Sequence, residues 1–312
     1  MAPMSNRPLP WRTAWDEALY GEDGFFRRSR PVDHFRTSVH VGLFAEAVAE
    51  LARRTSAATV VDVGAGGGEL LTALRTQLPG VHLLGVEVAP RPVDLHEDIG
   101  WEASLPDRVD GLLIANEWLD NVPCDVVELD DTGVVREVLV DPRTGEESLG
   151  EACGTAWLDA WWPLDEPGQR AEVGATRDAA WGAAVARVEG TAVAIDYGHR
   201  RADRPPFGSL RSYRGGREVD VRPDGSRDVT ADVAVDAVAA AVGATVLRQR
   251  EALAQLGVDG SRPPLELART DPAAYLRDLG RAGEAAELGA RGGLGDFWWI
   301  ISDTHGHGTL AT

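Results

Sequence analysis

The chain has 312 residues and a net charge of −19, with 50 acidic side chains against 31 basic ones. Every basic residue is arginine, which excludes a lysine Schiff base and a Walker-type phosphate lysine. Scattered, outnumbered arginines make no basic stripe, so a nucleic-acid partner is not expected, and no apolar run approaches the ~20 residues of a membrane helix. Residues 1–15 carry Pro, Arg and Asn rather than an apolar stretch, so no secretory signal is read and the protein is expected to be cytoplasmic. Cys124 and Cys153 have neither zinc spacing nor the numbers for a disulfide framework, and are expected as reduced thiols.

Residues 1–40 mix Trp, Arg, Pro and Gly without a clear period. Over 41–54 the spacing of Val41, Phe44, Ala45, Val48 and Leu51 predicts a helix. The β-branched run Thr59–Val63 stops at glycine and reads as a buried strand. After Gly64–Gly68 a helix is predicted from Glu69 to Leu78, ended by Pro79-Gly80. Further strands are expected at 82–88, near 99–103 and at 111–115, and a hairpin over 124–140 turning at Asp131–Gly133. Residues 150–188 read as helical and tryptophan-rich, 191–196 as another buried strand, and 200–228 as a long loop with one hairpin. A helix over 233–242 and strands over 244–249 and 297–302 complete the reading. Strands alternating with helices predict an α/β fold, a mainly parallel sheet covered on both faces.

In such a sheet ligands gather at the carboxyl ends of the strands. Gly64, Gly66 and Gly68 form a G-x-G-x-G loop that lets a ligand approach the backbone, and helix N–H groups beyond it are expected to face that ligand. The dinucleotide fingerprint needs glycine at its sixth position, where Glu69 stands, so an NAD enzyme is disfavoured. The pattern resembles motif I of S-adenosylmethionine (SAM)-dependent methyltransferases. Glu87, at the end of the second strand, can accept hydrogen bonds from ribose hydroxyls of either cofactor.

A sharper motif is Asn116-Glu-Trp-Leu-Asp-Asn-Val-Pro123, which resembles the N-E-[FLW]-[FL]-D-x-[LV]-P segment of the MidA methyltransferase family. In order along the chain, Ala18–Phe26, Phe35-Arg-Thr-Ser38 with Phe44, Ile195-Asp-Tyr-Gly-His199, Gly208–Arg214, Asp228-Val-Thr-Ala231, and Gln249 with Leu256-Gly257 are similar to further segments of that family. The resemblance implies a Rossmann-like core with an insertion before the fifth core strand. It also implies SAM as cofactor and, in the mitochondrial branch that assembles complex I, a protein arginine as methyl acceptor. Departures occur at Val39, Gly215, Gly216 and Asp232, away from motif I, so the acceptor is less secured than the cofactor. The expected organisation is a helical cap over 1–54, a core over 55–123 and 189–303, an insertion over 124–188 and a flexible tail over 304–312.

A guanidinium is always protonated, so carboxylates are its expected partners. Glu117 and Asp120 would share one face if a helical turn begins there. The reading is that Asn116 and Glu117 sit beside the reacting methyl and that Asp120 aligns the acceptor; the alternative is a helix-capping Asp120 and a solvated Glu117. His199 is a candidate base by its ordinary pKa, against a structural role. Asp62 is expected to orient the cofactor's amino group through water, or else to brace the loop. Trp101 is expected near the adenine, or in the core. Asp196 and Tyr197 end the fifth strand at the same edge. No metal site is expected: His305 and His307 read as a solvated tail. Trp157, Trp161 and Trp162 read as the insertion's core, and Arg211 and Arg214 as surface pairs, or else as partners of the SAM carboxylate or of an acidic partner. Two other functions stay open. One is a small-molecule methyltransferase with the tryptophan-rich insertion as an apolar lid. The other is a non-catalytic assembly protein that keeps the fold. The expected partner is a protein or small-molecule methyl acceptor, and a homodimer is allowed.

Overall fold

The computed structural model describes residues 7–28, 38–154, 156–304 and 310. Phe35–Thr37 of the motif near the N-terminus, His305, His307 and most of the tail lie outside the described residues. Seven strands form the central sheet: β1 (Thr59–Val63), β2 (His82–Val86), β3 (Ile99–Glu102), β4 (Val109–Asn116), β5 (Val188–Asp196), β6 (Thr245–Arg248) and β7 (Trp298–Asp303). Their order is β6-β7-β5-β4-β1-β2-β3. Strands β1 to β5 run parallel, whereas β7 lies antiparallel between β5 and β6.

The apolar runs are buried on both faces because each face carries helices. Along β1, Val60 points into one core cluster and Val61 and Val63 into the other. Helices Gly42–Arg54, Glu69–Gln77 and Pro272–Leu288 contribute to the first cluster; Ala175–Val185 and Val235–Val242 contribute to the second through Trp181, Ala184, Val235 and Val238. Connections leave β1 toward β2 on one side and β4 on the other, which opens a crevice between the carboxyl ends of β1 and β4.

Two smaller antiparallel sheets stand beyond that edge. One joins Leu9–Pro10, Asp125–Leu129, Val135–Val140, Glu147–Ala152 and Arg170–Val173. The predicted hairpin is present in it, turning where Asp130 Oδ1 accepts the N–H groups of Thr132 and Val134. The other joins Arg217–Val219, Arg211–Arg214 and Asp228–Thr230, three strands where the sequence predicts a loop with a single hairpin.

Residues 1–40, read as lacking a period, contain a helix at Trp11–Tyr20 with Trp11, Ala14, Trp15, Ala18 and Leu19 buried. It is tied down by Trp15 Nε1 donating to Val229 O (2.8 Å) and Tyr20 Oη donating to Asn121 O (3.2 Å). Leu9–Pro10 pairs with the insertion's sheet, while Gly42–Arg54 covers the central sheet, so the segment assigned to the cap serves two bodies. Within 124–188, likewise, Ala175–Val185 packs on the central sheet. Among the described residues no helix is long and apolar enough to cross a membrane, and no group of His, Cys, Asp and Glu could hold a metal ion.

Candidate active site

A cavity of about 500 Å³ opens at the carboxyl ends of β1, β2, β4 and β5. Its near wall is the glycine loop. Gly64, Gly66 and Gly68 adopt φ of 71°, 55° and 80°, which only glycine holds without strain. Gly64 and Gly66 line the cavity. Gly68 does not: a Cβ there would meet Leu95 Cδ1 at 2.7 Å and Trp101 Cζ3 at 3.5 Å, so its role is to let the helix start close to the sheet.

Two of the loop's own N–H groups are taken by carboxylates. Gly66 N–H donates to Glu87 Oε2 (3.1 Å) and Gly67 N–H to Glu69 Oε2 (3.0 Å). The Glu87 carboxylate also accepts from Ala89 N–H (3.1 Å) and faces the cavity. The wall therefore presents carboxylates where a phosphate site would present donors. Asp62 adds a third, its pKa raised to about 8 by burial and then by the charges of Glu69 and Glu87.

The far wall is built by residues 116–121. Asn116 ends β4; its Nδ2 donates to Glu117 Oε1 (3.1 Å), and its Oδ1 is buried with no partner. Glu117 holds φ 51°, a strained value for a non-glycine residue of the kind that clusters at functional sites. A short 3-10 turn, Leu119–Asn121, follows rather than an α-helix. Asp196 anchors that turn: its Oδ2 accepts from Leu119 N–H (3.0 Å) and Asp120 N–H (3.2 Å). Asp120 Oδ2 accepts from Thr230 Oγ1 (2.6 Å) and from the Tyr197 hydroxyl, leaving Oδ1 buried and unpartnered. Burial, then the charge of Asp120, lifts Glu117 to about 8; burial lifts Asp120, and burial followed by the charges of Asp120 and Glu117 lifts Asp196.

The reading of a capping Asp120 and a solvated Glu117 does not hold, since both line the cavity and Asp120 makes no side-chain cap. Trp101 and His199 are not in the cavity wall. The Trp101 ring covers Gly85 and Gly68 and its Nε1 donates to Ala89 O (3.2 Å), so it is a packing residue. His199 lies edge-on to Trp162 with Nδ1 2.7 Å from Arg204, and burial followed by the Arg204 charge depresses it to about 3. A base role for His199 is thereby corrected: the ring is neutral and stands outside the cavity wall. Arg211 pairs with Asp232, as a structural ion pair. Sequence reasoning did not single out Tyr20, Phe26, Asn121, Tyr213, Asp228 and Thr230, which complete the wall. All six stand inside segments quoted above for their resemblance, which is the only signal for them.

The family described as "Putative S-adenosyl-L-methionine-dependent methyltransferase" matches residues 43–251. The chain belongs to that family. This methyltransferase is similar in fold to a superfamily member from Burkholderia thailandensis bound to S-adenosyl-homocysteine, at 24% identity and a TM-score of 0.74, with 95% of this chain and 88% of that one covered. A native crystal structure of an uncharacterized superfamily protein from the same organism matches at 23% identity and a TM-score of 0.72, covering 95% and 87%. No curated protein matches the chain in sequence.

SAM supplies an electrophilic methyl group on a sulfonium centre. The residues present fit such a ligand. A cavity walled by Asp62, Glu87, Glu117 and Asp120, with the buried Asn116 Oδ1 unpartnered, suits a molecule carrying sulfonium and ammonium charges. Glu87 would hold the ribose hydroxyls, and Asp62 and Asn116 the ammonium end. Their placement on three neighbouring strand ends keeps them rigid.

Proposed function

We propose that this methyltransferase, acting in the cytoplasm, methylates an arginine side chain of a protein. The observation that carries the reading is Asp120 Oδ1, a buried carboxylate oxygen with no partner, beside Glu117 in the wall of the cavity. A guanidinium keeps its charge at every ordinary pH and needs carboxylates to hold it. On methylation its nitrogen must also shed a proton. A carboxyl poised near 8, as Glu117 is, accepts a proton efficiently close to neutrality. Glu117 thus takes the proton at its carboxylate, Asn116 Nδ2 fixes the carboxylate's orientation, and Asp120 aligns the cation. The small-molecule reading loses its support, because Trp157, Trp161 and Trp162 do not line the cavity; Trp162 is buried in a separate cluster that Trp157 packs against.

The test is Glu117→Gln, assayed with methyl-labelled SAM on protein extract and with S-adenosyl-homocysteine by calorimetry. Label transfer to arginine should disappear while S-adenosyl-homocysteine binding persists. Undiminished transfer removes Glu117 from the mechanism, and label found only on small molecules removes the protein acceptor.

A further inference from the structure

The side of the cavity away from the glycine loop is not made by the central sheet. Tyr20 comes from the N-terminal helix, Phe26 from the turn Phe25–Arg28, and Tyr213, Asp228 and Thr230 from the small three-stranded sheet. Tyr213 and Asp228 are Cα partners on adjacent strands, and the Tyr20 and Phe26 rings stand 5.7 Å apart. Asp228 is 6% exposed and accepts from Asn121 Nδ2 (2.9 Å), yet it forms no ion pair with an arginine among the described residues. Its neighbour Arg227 is spent on Asp224 and on Asp220 O. Asp120, also facing this chamber and 4% exposed, keeps one oxygen without a partner.

Two buried carboxyl groups from different elements, walled by three aromatic rings and neutralised by no ion pair, are costly to a free protein unless a cation arrives. We propose that Asp228 is the acceptor-binding carboxylate of a subsite for a planar cation, which Asp120 grips from the second side and Tyr20, Phe26 and Tyr213 enclose. The inference rests on the arginine reading above and deepens it by assigning the residue that selects charge. Planarity follows from the aromatic walls, which favour a flat delocalised cation over a compact ammonium. Burial, then the charge of Asp120, raises Asp228 to about 8, so the carboxyl is largely protonated when the chamber is empty and ionises as the cation enters.

The full-length protein, saturated with S-adenosyl-homocysteine, is titrated with Nα-acetyl-arginine amide, Nα-acetyl-lysine amide and the neutral isostere Nα-acetyl-citrulline amide. The arginine probe should bind about tenfold or more tightly than citrulline, with lysine between them. Asp228→Asn should bring the arginine probe down to the citrulline level with S-adenosyl-homocysteine affinity unchanged; Asp228→Ser serves if the amide disturbs Asn121. Equal binding of arginine and citrulline, no binding of any probe, or a variant that binds arginine like the wild type each overturns the subsite. The two readings fail separately. Probe binding through Asp228 without any methylated protein arginine keeps the subsite and removes the acceptor assignment. Arginine methylation with unaltered KM in Asp228→Asn keeps the acceptor and removes the subsite.

Discussion

Arg177, 1% exposed, is the buried cation on which the far wall depends. It donates to Asp120 O (2.7 Å), Asp232 O (2.9 Å) and Val122 O (3.2 Å), and its guanidinium lies 5.7 Å from the Trp15 ring. Arg177→Met keeps much of the apolar contact but orphans three carbonyls. At about 1.5–3 kcal/mol for each bond to a charged donor the simple sum is large, and relaxation reduces it. An orphaned buried acceptor costs about 1–3 kcal/mol, so three partly relaxed carbonyls together cost about 4 kcal/mol. For a chain of this size that lowers the melting temperature by about 8 °C. A second readout separates packing from electrostatics. The Arg177 charge lowers the pKa values of Asp120 and Asp196, so its removal raises both. If ionised Asp120 aligns the acceptor, the rising limb of kcat/KM against pH moves to higher pH in Arg177→Met. Arg177→Lys, which keeps the charge but not the fork, should lose stability with a smaller shift of the limb. Denaturation and pH–rate profiles of the three proteins decide. A Met variant within about 1 kcal/mol of wild type, with an unmoved limb, would refute the reasoning.

Glu87→Ala should weaken S-adenosyl-homocysteine binding by about ten- to a hundredfold in calorimetry, because it removes both the ribose acceptor and the carboxylate that holds Gly66 and Ala89. Gly68→Ala should destabilise by about 1–2 kcal/mol in urea unfolding, from its φ of 80°, with Leu95 forced aside. Asp62, Glu117 and Asp228 are raised from 3.8, 4.5 and 3.8 to about 8. Groups raised in the folded state bind more protons there, so their stabilisation is complete below pH about 4 and is lost as pH rises through about 8. The ligand-free protein should therefore lose stability across that window, and a cationic ligand should restore it; a ligand-free protein that gains stability from pH about 5 to about 8 contradicts the burial of these carboxyls.

Strands β1, β2, β4, β5, β6 and β7 are legible because β-branched or apolar runs bounded by glycine or charge leave few alternatives. The three-stranded sheet over 211–230 is not, since its strands are three or four residues long and its segments carry arginine, glycine and proline. Helix Trp11–Tyr20 does carry a helical period, Trp11, Ala14, Trp15, Ala18 and Leu19, but it spans under three turns inside a segment otherwise rich in Pro, Arg and Gly. Pro272–Leu288 was not singled out: Leu276 is 66% exposed, and the buried positions Ala282, Ala285 and Leu288 are mostly small. At the site, Gly64, Gly66 and Glu87 are legible from a stretch that runs strand, loop, strand end, and Asn116, Glu117 and Asp120 from the motif that closes β4. Asp228, Tyr213 and Tyr20 were not, because only the fold brings them across to that stretch. Arg177 reads as an ordinary helix-surface arginine until the helix is seen to lie beneath the 120–123 loop.

The bond from Trp15 to Val229 joins residues 214 positions apart. At about 5–20 residues per second of synthesis, the first helix waits on the order of ten to forty seconds for this last of the strands it packs on, after Asp125–Leu129 and Val135–Val140. During that interval Trp11, Trp15 and Leu19 have Val126, Val138 and Val140 to pack on, but the Trp15 indole N–H lacks its acceptor. Until Val229 and its strand arrive, Asp228 and Thr230 are missing and the cavity lacks one side. The site is thus incomplete by topology until most of the chain has been made, and methyl transfer cannot precede that point.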